Sequence, residues 1–215
     1  MAREATPDDR TAAEPVTRPS LGERRRTALR LDIAREAVRL FTSQGVTGTT
    51  GEQIAQAVGI SARTLWRHFP TKESCVLPLL AAGLDAAMEQ LRHWPPHTGL
   101  LDFLERSWSH GTLPAPDPAV LDLIRMTPAE PALRSVWLQA HDDALPVLGA
   151  LLAHRSGRSP EDLRVKVHAA TLNGALRAAA EDFAQRFGDA PGTAAGELTA
   201  CLRTALRAAS EGLPY

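Results

Sequence analysis

Between Leu21 and Leu77 nine basic side chains (Arg24, Arg25, Arg26, Arg30, Arg35, Arg39, Arg63, Arg67 and Lys72) stand against five acidic ones (Glu23, Asp32, Glu36, Glu52 and Glu73), a local surplus of four positive charges. The whole 215-residue chain has a net charge of −1, so everything outside that segment holds −5. Such asymmetry points to one polyanion-facing module on a body that does not face a polyanion.

Other chemistries find less support. Gly45-Val46-Thr47-Gly48-Thr49-Thr50-Gly51 has the glycine content of a phosphate-cradling loop. No strand pattern precedes it, however, and no Gly-Lys-Ser/Thr closes it. His141-Asp142-Asp143 is a run of neighbours that point in different directions on a helix. His93 and His97 have the spacing of a helical metal pair, yet Pro95 and Pro96 between them break that geometry. There is no G-x-S-x-G elbow and no Cys/His cluster, and Cys75 and Cys201 are too few for a disulfide framework. We therefore expect no catalytic residues, no metal and no cofactor, and the chain is not read as an enzyme. No apolar run approaches about 18 residues and the N-terminus lacks a secretory h-region, so a cytoplasmic protein is expected.

The elements that must position the basic residues are helical throughout, with no convincing period-2 stretch, so the fold class is all-α. Residues 1–20 carry seven charges and one large aliphatic, Val16, and read as a disordered tail. The spacing of Leu29, Ile33, Ala37, Leu40 and Phe41 predicts a helix over Thr27–Thr42. Thr50 and Gln53 form a capping-box pattern before a short second helix, and Ser61 is a good N-cap for a third over Ala62–His68. In this pair Ala55 is small where the helices cross, Gly59 permits a left-handed corner and Ile60 plugs the angle. That order describes a helix-turn-helix. A fourth helix is expected from Thr71 to about Trp94, kinked at Pro78. Further helices are expected over Leu100–His110, Ala119–Met126, Ala129–His154, Pro160–Phe187 and Thr193–Ser210.

Gly45, Thr49-Thr50, Ile54-Ala55, Val58-Gly59-Ile60-Ser61, Thr64-Leu65-Trp66-Arg67-His68-Phe69 and Lys72-Glu73 together resemble the N-terminal domain of TetR-family transcriptional regulators. The resemblance covers Arg26 to Leu77. It implies a three-helix DNA-binding domain (residues 21–70) followed by a helical effector-binding and dimerisation domain (71–215). It further implies a ligand-responsive repressor, released from its operator by a small lipophilic or aromatic molecule. Two positions depart from the family: Trp66 stands where tyrosine is usual, and Gly51 is unusual at the start of the second helix.

Resemblance and chemistry combine at single residues. Arg63, Thr64 and Arg67 lie on the recognition helix and are candidates for base edges, arginine being suited to guanine O6/N7. Thr50, Trp66, His68 and Lys72 resemble phosphate-contacting positions, Thr50 and Lys72 at helix N-termini. Arg24, Arg25 and Arg26 are read as preceding the first helix, with phosphates or the minor groove in reach. For the effector, Phe103, Trp108, Leu121, Ile124, Met126, Trp137, Leu138, His141, Leu172 and Asn173 are candidates for an apolar pocket with a few orienting polar groups. The expected partners are a pseudo-palindromic double-stranded operator, a second copy of the chain joined through the two alanine-rich C-terminal helices, and the effector. A lever running from Lys72 to Trp94, bending at Pro78, is expected to couple effector to DNA. The alternative is a helical protein-interaction adaptor without sequence-specific DNA binding, which accounts for the helices but not for the arginines.

Overall fold

The computed structural model describes residues 20–110, 117–187 and 194–211. Among them nine α-helices and one 3-10 turn follow in order: α1 (Leu21–Gln44), α2 (Gly51–Val58), α3 (Ala62–His68), the 3-10 turn (Glu73–Val76), α4 (Leu77–Arg92), α5 (Leu100–Ser109), α6 (Pro118–Met126), α7 (Pro131–Ser156), α8 (Leu163–Phe187) and α9 (Ala194–Glu211). The fold is all-α, as expected. Apart from Ser20, the tail read from the sequence lies outside the described residues.

α1 begins well before Thr27. The Glu23 N–H donates to Ser20 Oγ (3.2 Å) and the Ser20 N–H donates to Glu23 Oε2 (2.6 Å), a reciprocal capping box that carries the helix to Leu21. The bond from the Ser20 backbone N–H, then the Ser20 side chain and the charge of Arg26, hold the Glu23 carboxyl below its ordinary value against the opposing effect of desolvation. Arg24, Arg25 and Arg26 therefore do not precede the first helix. They lie in its first two turns, exposed.

The fourth helix also differs from expectation. Thr71 Oγ1 accepts from the Ser74 N–H (3.1 Å) at the head of the 3-10 turn, whose cap position is Lys72, and α4 starts only at Leu77. Pro78 sits in the first turn of α4, where its missing N–H costs no helical bond, so it starts the helix rather than kinking it. Pro131 likewise opens α7, and Pro146 lies inside that helix.

One apolar cluster runs through both ends of the molecule. It joins Ile33, Ala37, Phe41, Ile54, Leu65 and Phe69 to Val76, Leu79 and Leu80, and these to Leu123, Leu133, Trp137 and Phe183. A boundary at residue 70 thus crosses a continuous core, through which α1 packs on α4 and α6. At the opposite pole Arg155 in the last turn of α7 pins the α4–α5 corner. Its guanidinium donates to the carbonyls of Trp94 (2.9 Å), Pro95 (2.9 Å) and Thr98 (3.1 Å) and lies 3.5 Å from the Trp94 ring centroid.

Candidate nucleic-acid interface and effector cavity

The helix-turn-helix forms as its sequence dictates. Thr50 Oγ1 accepts from the Gln53 N–H (3.2 Å) while Gln53 Oε1 accepts from the Thr50 N–H (2.8 Å), which fixes the start of α2. Gly59 turns the corner at φ 78°, and Ser61 Oγ accepts from the Thr64 N–H (3.1 Å) to open α3. Leu65, fully buried, and Ala55, 1% exposed, close the crossing. Burying a leucine this way contributes about 1.5–3 kcal/mol.

α3 then presents Arg63, Trp66 and Arg67 to solvent. Neither arginine has an acidic partner among the described residues, so both guanidinium forks face outward uncommitted. Thr64 is half-buried with its hydroxyl 2.9 Å from Ser61 Oγ, already engaged in the cap. His68 closes the helix in a positive field. Burial first, then Arg67, Arg30 and Arg26, hold its imidazole below the ordinary histidine value. The basic face is therefore built from two helices, α1 and α3. Arg30, counted in the basic surplus but not among the candidate contacts, belongs to it, lying 5.0 Å over the Phe69 ring.

Trp66 and Gly51, the two unusual residues, are one feature. A Cβ on Gly51 would collide with Cζ2 and Cη2 of the Trp66 indole, so glycine at the first position of α2 makes room for the larger ring on α3. Lys72, read from the sequence as a phosphate-contacting position, has a task inside the fold. Its ammonium donates to the carbonyls of Val46 (2.6 Å) and Thr49 (2.7 Å), tying down the loop that delivers Thr50 to the head of α2. Thr49 is buried there, its hydroxyl donating to the Gly45 carbonyl (2.8 Å).

A cavity of about 650 Å³ opens in the helical body. Its wall is mostly aliphatic, from Leu80, Gly83, Leu84 and Ala87 of α4, Leu176 of α8, and Leu198 and Leu202 of α9. Of the ten residues read from the sequence, Trp108, Ile124, Trp137 and His141 line it. Leu172 borders a smaller neighbouring cavity of about 110 Å³. The others are not in the wall of the large one. Phe103 packs in a core cluster near Leu206, Leu121 is buried in the main core, and Met126 and Leu138 pack against that core. Asn173 stands behind the wall, bonded to His141. The wall residues missed include those of α4, whose spacing 80, 83, 84 and 87 marks one helix face, Leu176 of α8, Leu198 and Leu202 of α9, and two from α1, Leu31 and Arg35. Arg35 Nε donates to Asp117 Oδ2 (3.0 Å) across the cavity rim, linking α1 to the N-cap of α6.

Trp137 and His141, one turn apart on α7, meet edge to face with ring centroids 4.2 Å apart. Trp137 Nε1 and His141 Nε2 are buried and have no hydrogen-bond partner among the described residues. Each such atom costs about 1–3 kcal/mol. No thiol chemistry competes in the core, because burial, and then Glu73, push the Cys75 thiol up to about 12.

Comparison with known proteins agrees with this architecture. Residues 33–79 match the profile described as bacterial regulatory proteins, tetR family, and residues 114–214 match that of the MftR C-terminal domain. The HTH-type transcriptional regulator TcmR of Streptomyces glaucescens is 30% identical over 152 residues, 67% of each chain. Two solved structures share the fold. Thermus thermophilus FadR in complex with lauroyl-CoA is 23% identical, with TM-score 0.51, over 86% of this chain and 95% of that one. Bacillus subtilis FadR in complex with stearoyl-CoA is 18% identical, with TM-score 0.54, over 85% and 98%.

Proposed function

The chain belongs to the TetR family of transcriptional regulators, and from that premise we propose that it is a repressor released from its operator when a small apolar molecule enters the cavity. The observation that carries this reading is that α1 takes part in both ends. Its Ile33, Ala37 and Phe41 share one buried cluster with Ile54 of α2 and Leu65 of α3, α1 packing on α2 and α2 on α3, while its Leu31 and Arg35 stand in the cavity wall. An occupant that displaces α1 or breaks the Arg35–Asp117 contact moves the recognition helix with it. This route replaces a lever bent at Pro78, since that proline begins α4. The FadR structures, described with acyl-CoA thioesters, support ligand response in this fold.

Two copies place two recognition helices on successive major grooves, about 34 Å apart, and so read a pseudo-palindromic site. Arg63 and Arg67 are the base-reading candidates there, with Thr50, Trp66, His68 and the arginines of α1 on the backbone. The dimer face we assign is the outer side of α8 and α9. Leu163 and Val167 are 73% and 51% exposed, and Ala170, Thr171, Gly174 and Ala178 continue toward Ala200, Thr204 and Ala208 of α9. Among the described residues no helix is long and apolar enough to cross a membrane, in keeping with a cytoplasmic regulator.

Energetically the effector need only prefer the released state. A differential of about 2.8 kcal/mol weakens operator affinity roughly a hundredfold, and linkage requires the operator to weaken effector binding by the same factor. The test uses Gly83→Phe, because a Cβ at Gly83 meets nothing within 4 Å and the ring would occupy the cavity. On an operator recovered by selection from random duplexes, the variant keeps its affinity within about twofold. It no longer responds to compounds that release the parent protein. A variant that still releases with unchanged sensitivity would falsify the cavity as the effector site.

A further inference from the structure

Two residues of the cavity wall, Trp137 and His141, hold buried ring nitrogens without a hydrogen-bond partner among the described residues, and the two nitrogens differ in kind. An indole Nε1–H can only donate. His141 Nδ1 lies 2.8 Å from Asn173 Oδ1, an atom that only accepts, so Nδ1 carries the proton and the neutral ring offers Nε2 as an acceptor. The surroundings favour that neutral form. Burial holds the imidazole below its ordinary value, the bond to Asn173 raises it, and the nearby Arg177 and Glu181 push down and up respectively. Trp137 and His141 thus set one donor beside one acceptor on a single turn of α7, both sealed from bulk water, at 5% and 3% exposure.

We infer that this pair reads a neutral hydroxyl on an otherwise apolar ligand, the Trp137 N–H donating to the oxygen and His141 Nε2 accepting from its O–H. The inference rests on the cavity being the effector site and narrows the class of effector. A hydroxyl, phenolic or aliphatic, is the smallest group that both donates and accepts. A carboxylate accepts only and would set its lone pairs against that of Nε2. An ammonium donates only and would leave the indole N–H unpaired. A plain hydrocarbon would satisfy neither; the rest of the wall is mostly aliphatic, its Arg35 and Asp117 are bonded to each other, and its remaining polar side chains include Gln90 and Thr199.

The experiment compares three probes of one shape, 1-hydroxypyrene, pyrene and 1-pyrenecarboxylate, titrated by fluorescence into the full-length protein at neutral pH. The parent protein is expected to bind 1-hydroxypyrene about tenfold or more tightly than either other probe. Trp137→Phe and His141→Leu each reduce that preference to about twofold and leave pyrene unchanged. Asn173→Asp provides a reading that a packing role would not give, and it alters a residue outside the wall. A carboxylate on Nδ1 favours the imidazolium, turns Nε2 into a donor, and shifts the preference toward 1-pyrenecarboxylate. It also decides the matter if either ring variant fails to fold. Equal binding of 1-hydroxypyrene and pyrene by the parent, with both lost in Gly83→Phe, overturns the hydroxyl reading and leaves the cavity in place. Absence of binding by all three probes, or binding that Gly83→Phe does not disturb, overturns both.

Discussion

The helix-turn-helix end and the cavity end share one continuous core but treat their polar groups in opposite ways. Around α2 and α3 polar atoms are spent locally: Thr50 on Gln53, Ser61 on Thr64, Lys72 on two carbonyls of the preceding loop. What remains free is on the outside, in the forks of Arg63 and Arg67. Around the cavity the free groups are on the inside, in two buried ring nitrogens of residues that line a void of about 650 Å³. Ordinary cores hold few voids larger than a water molecule. The first region is thus finished as a rigid tool before any partner arrives, whereas the second is left incomplete, and α1 passes between them.

The largest effect that tests this contrast is expected from removing the outward forks. Arg63→Ala with Arg67→Ala should weaken operator binding by about 2–6 kcal/mol, followed by fluorescence anisotropy, with little change in melting temperature. Retention of operator affinity would mean that α3 does not read bases. Next comes Lys72→Met, which strips two charge-assisted bonds from the α1–α2 loop. A stability loss of about 1.5–3 kcal/mol in urea is expected, with the salt dependence of non-specific DNA binding unchanged. A salt slope lower by about one would instead make the lysine a phosphate contact.

Gly51→Ala is expected to cost about 1 kcal/mol by forcing the indole of Trp66 off α2, and Trp66→Tyr in the same chain should recover most of it. A double variant no better than the single one would separate the two residues. The smallest effect is on pH dependence. His141 has a folded-state value below its ordinary 6.5, so the unfolded chain binds the proton first. Stability is therefore full above about 6.5 and falls as pH drops below it. Burial is the leading cause, opposed by Asn173 and Glu181 and aided by Arg177. His68, lowered by burial, Arg67, Arg30 and Arg26, contributes with the same sign. Melting curves between pH 7.5 and pH 5 should flatten partly in His141→Leu. An unchanged slope would show that the cavity histidine does not titrate with unfolding.

Much of the first region was legible because its determinants are local. Capping pairs lie three residues apart, Gly59 marks its own corner, and the apolar spacing of Ile54, Ala55 and Leu65 names the buried face. The start of α1 was equally local, in Ser20 and Glu23, but the apolar pattern used to place the helix begins later, at Leu29. Pro78 misled for a related reason. A proline in an apolar run reads as an interruption, and only the 3-10 turn before Leu77 makes it a first-turn residue. In the second region the helices and the apolar character of the pocket were readable, but the choice of wall was not. Phe103 and Leu121 have the same kind of side chain as Ile124 and Leu176, and nothing in spacing tells a residue that meets another helix from one that meets a gap.

The sequence by itself determined the all-α class, the helix-turn-helix with its caps and corner, and the basic face, because hydrogen bonds and periodicities of three to four residues suffice to encode them. Only the tertiary structure decided that Gly51 exists for Trp66, that Lys72 holds a loop more than twenty residues away, that α1 walls the cavity through Leu31 and Arg35, and that Trp137 and His141 keep two nitrogens unsatisfied. Each of these depends on which helix faces which across distant parts of the chain. That choice is set by the summed packing of the whole core rather than by any one segment's preference.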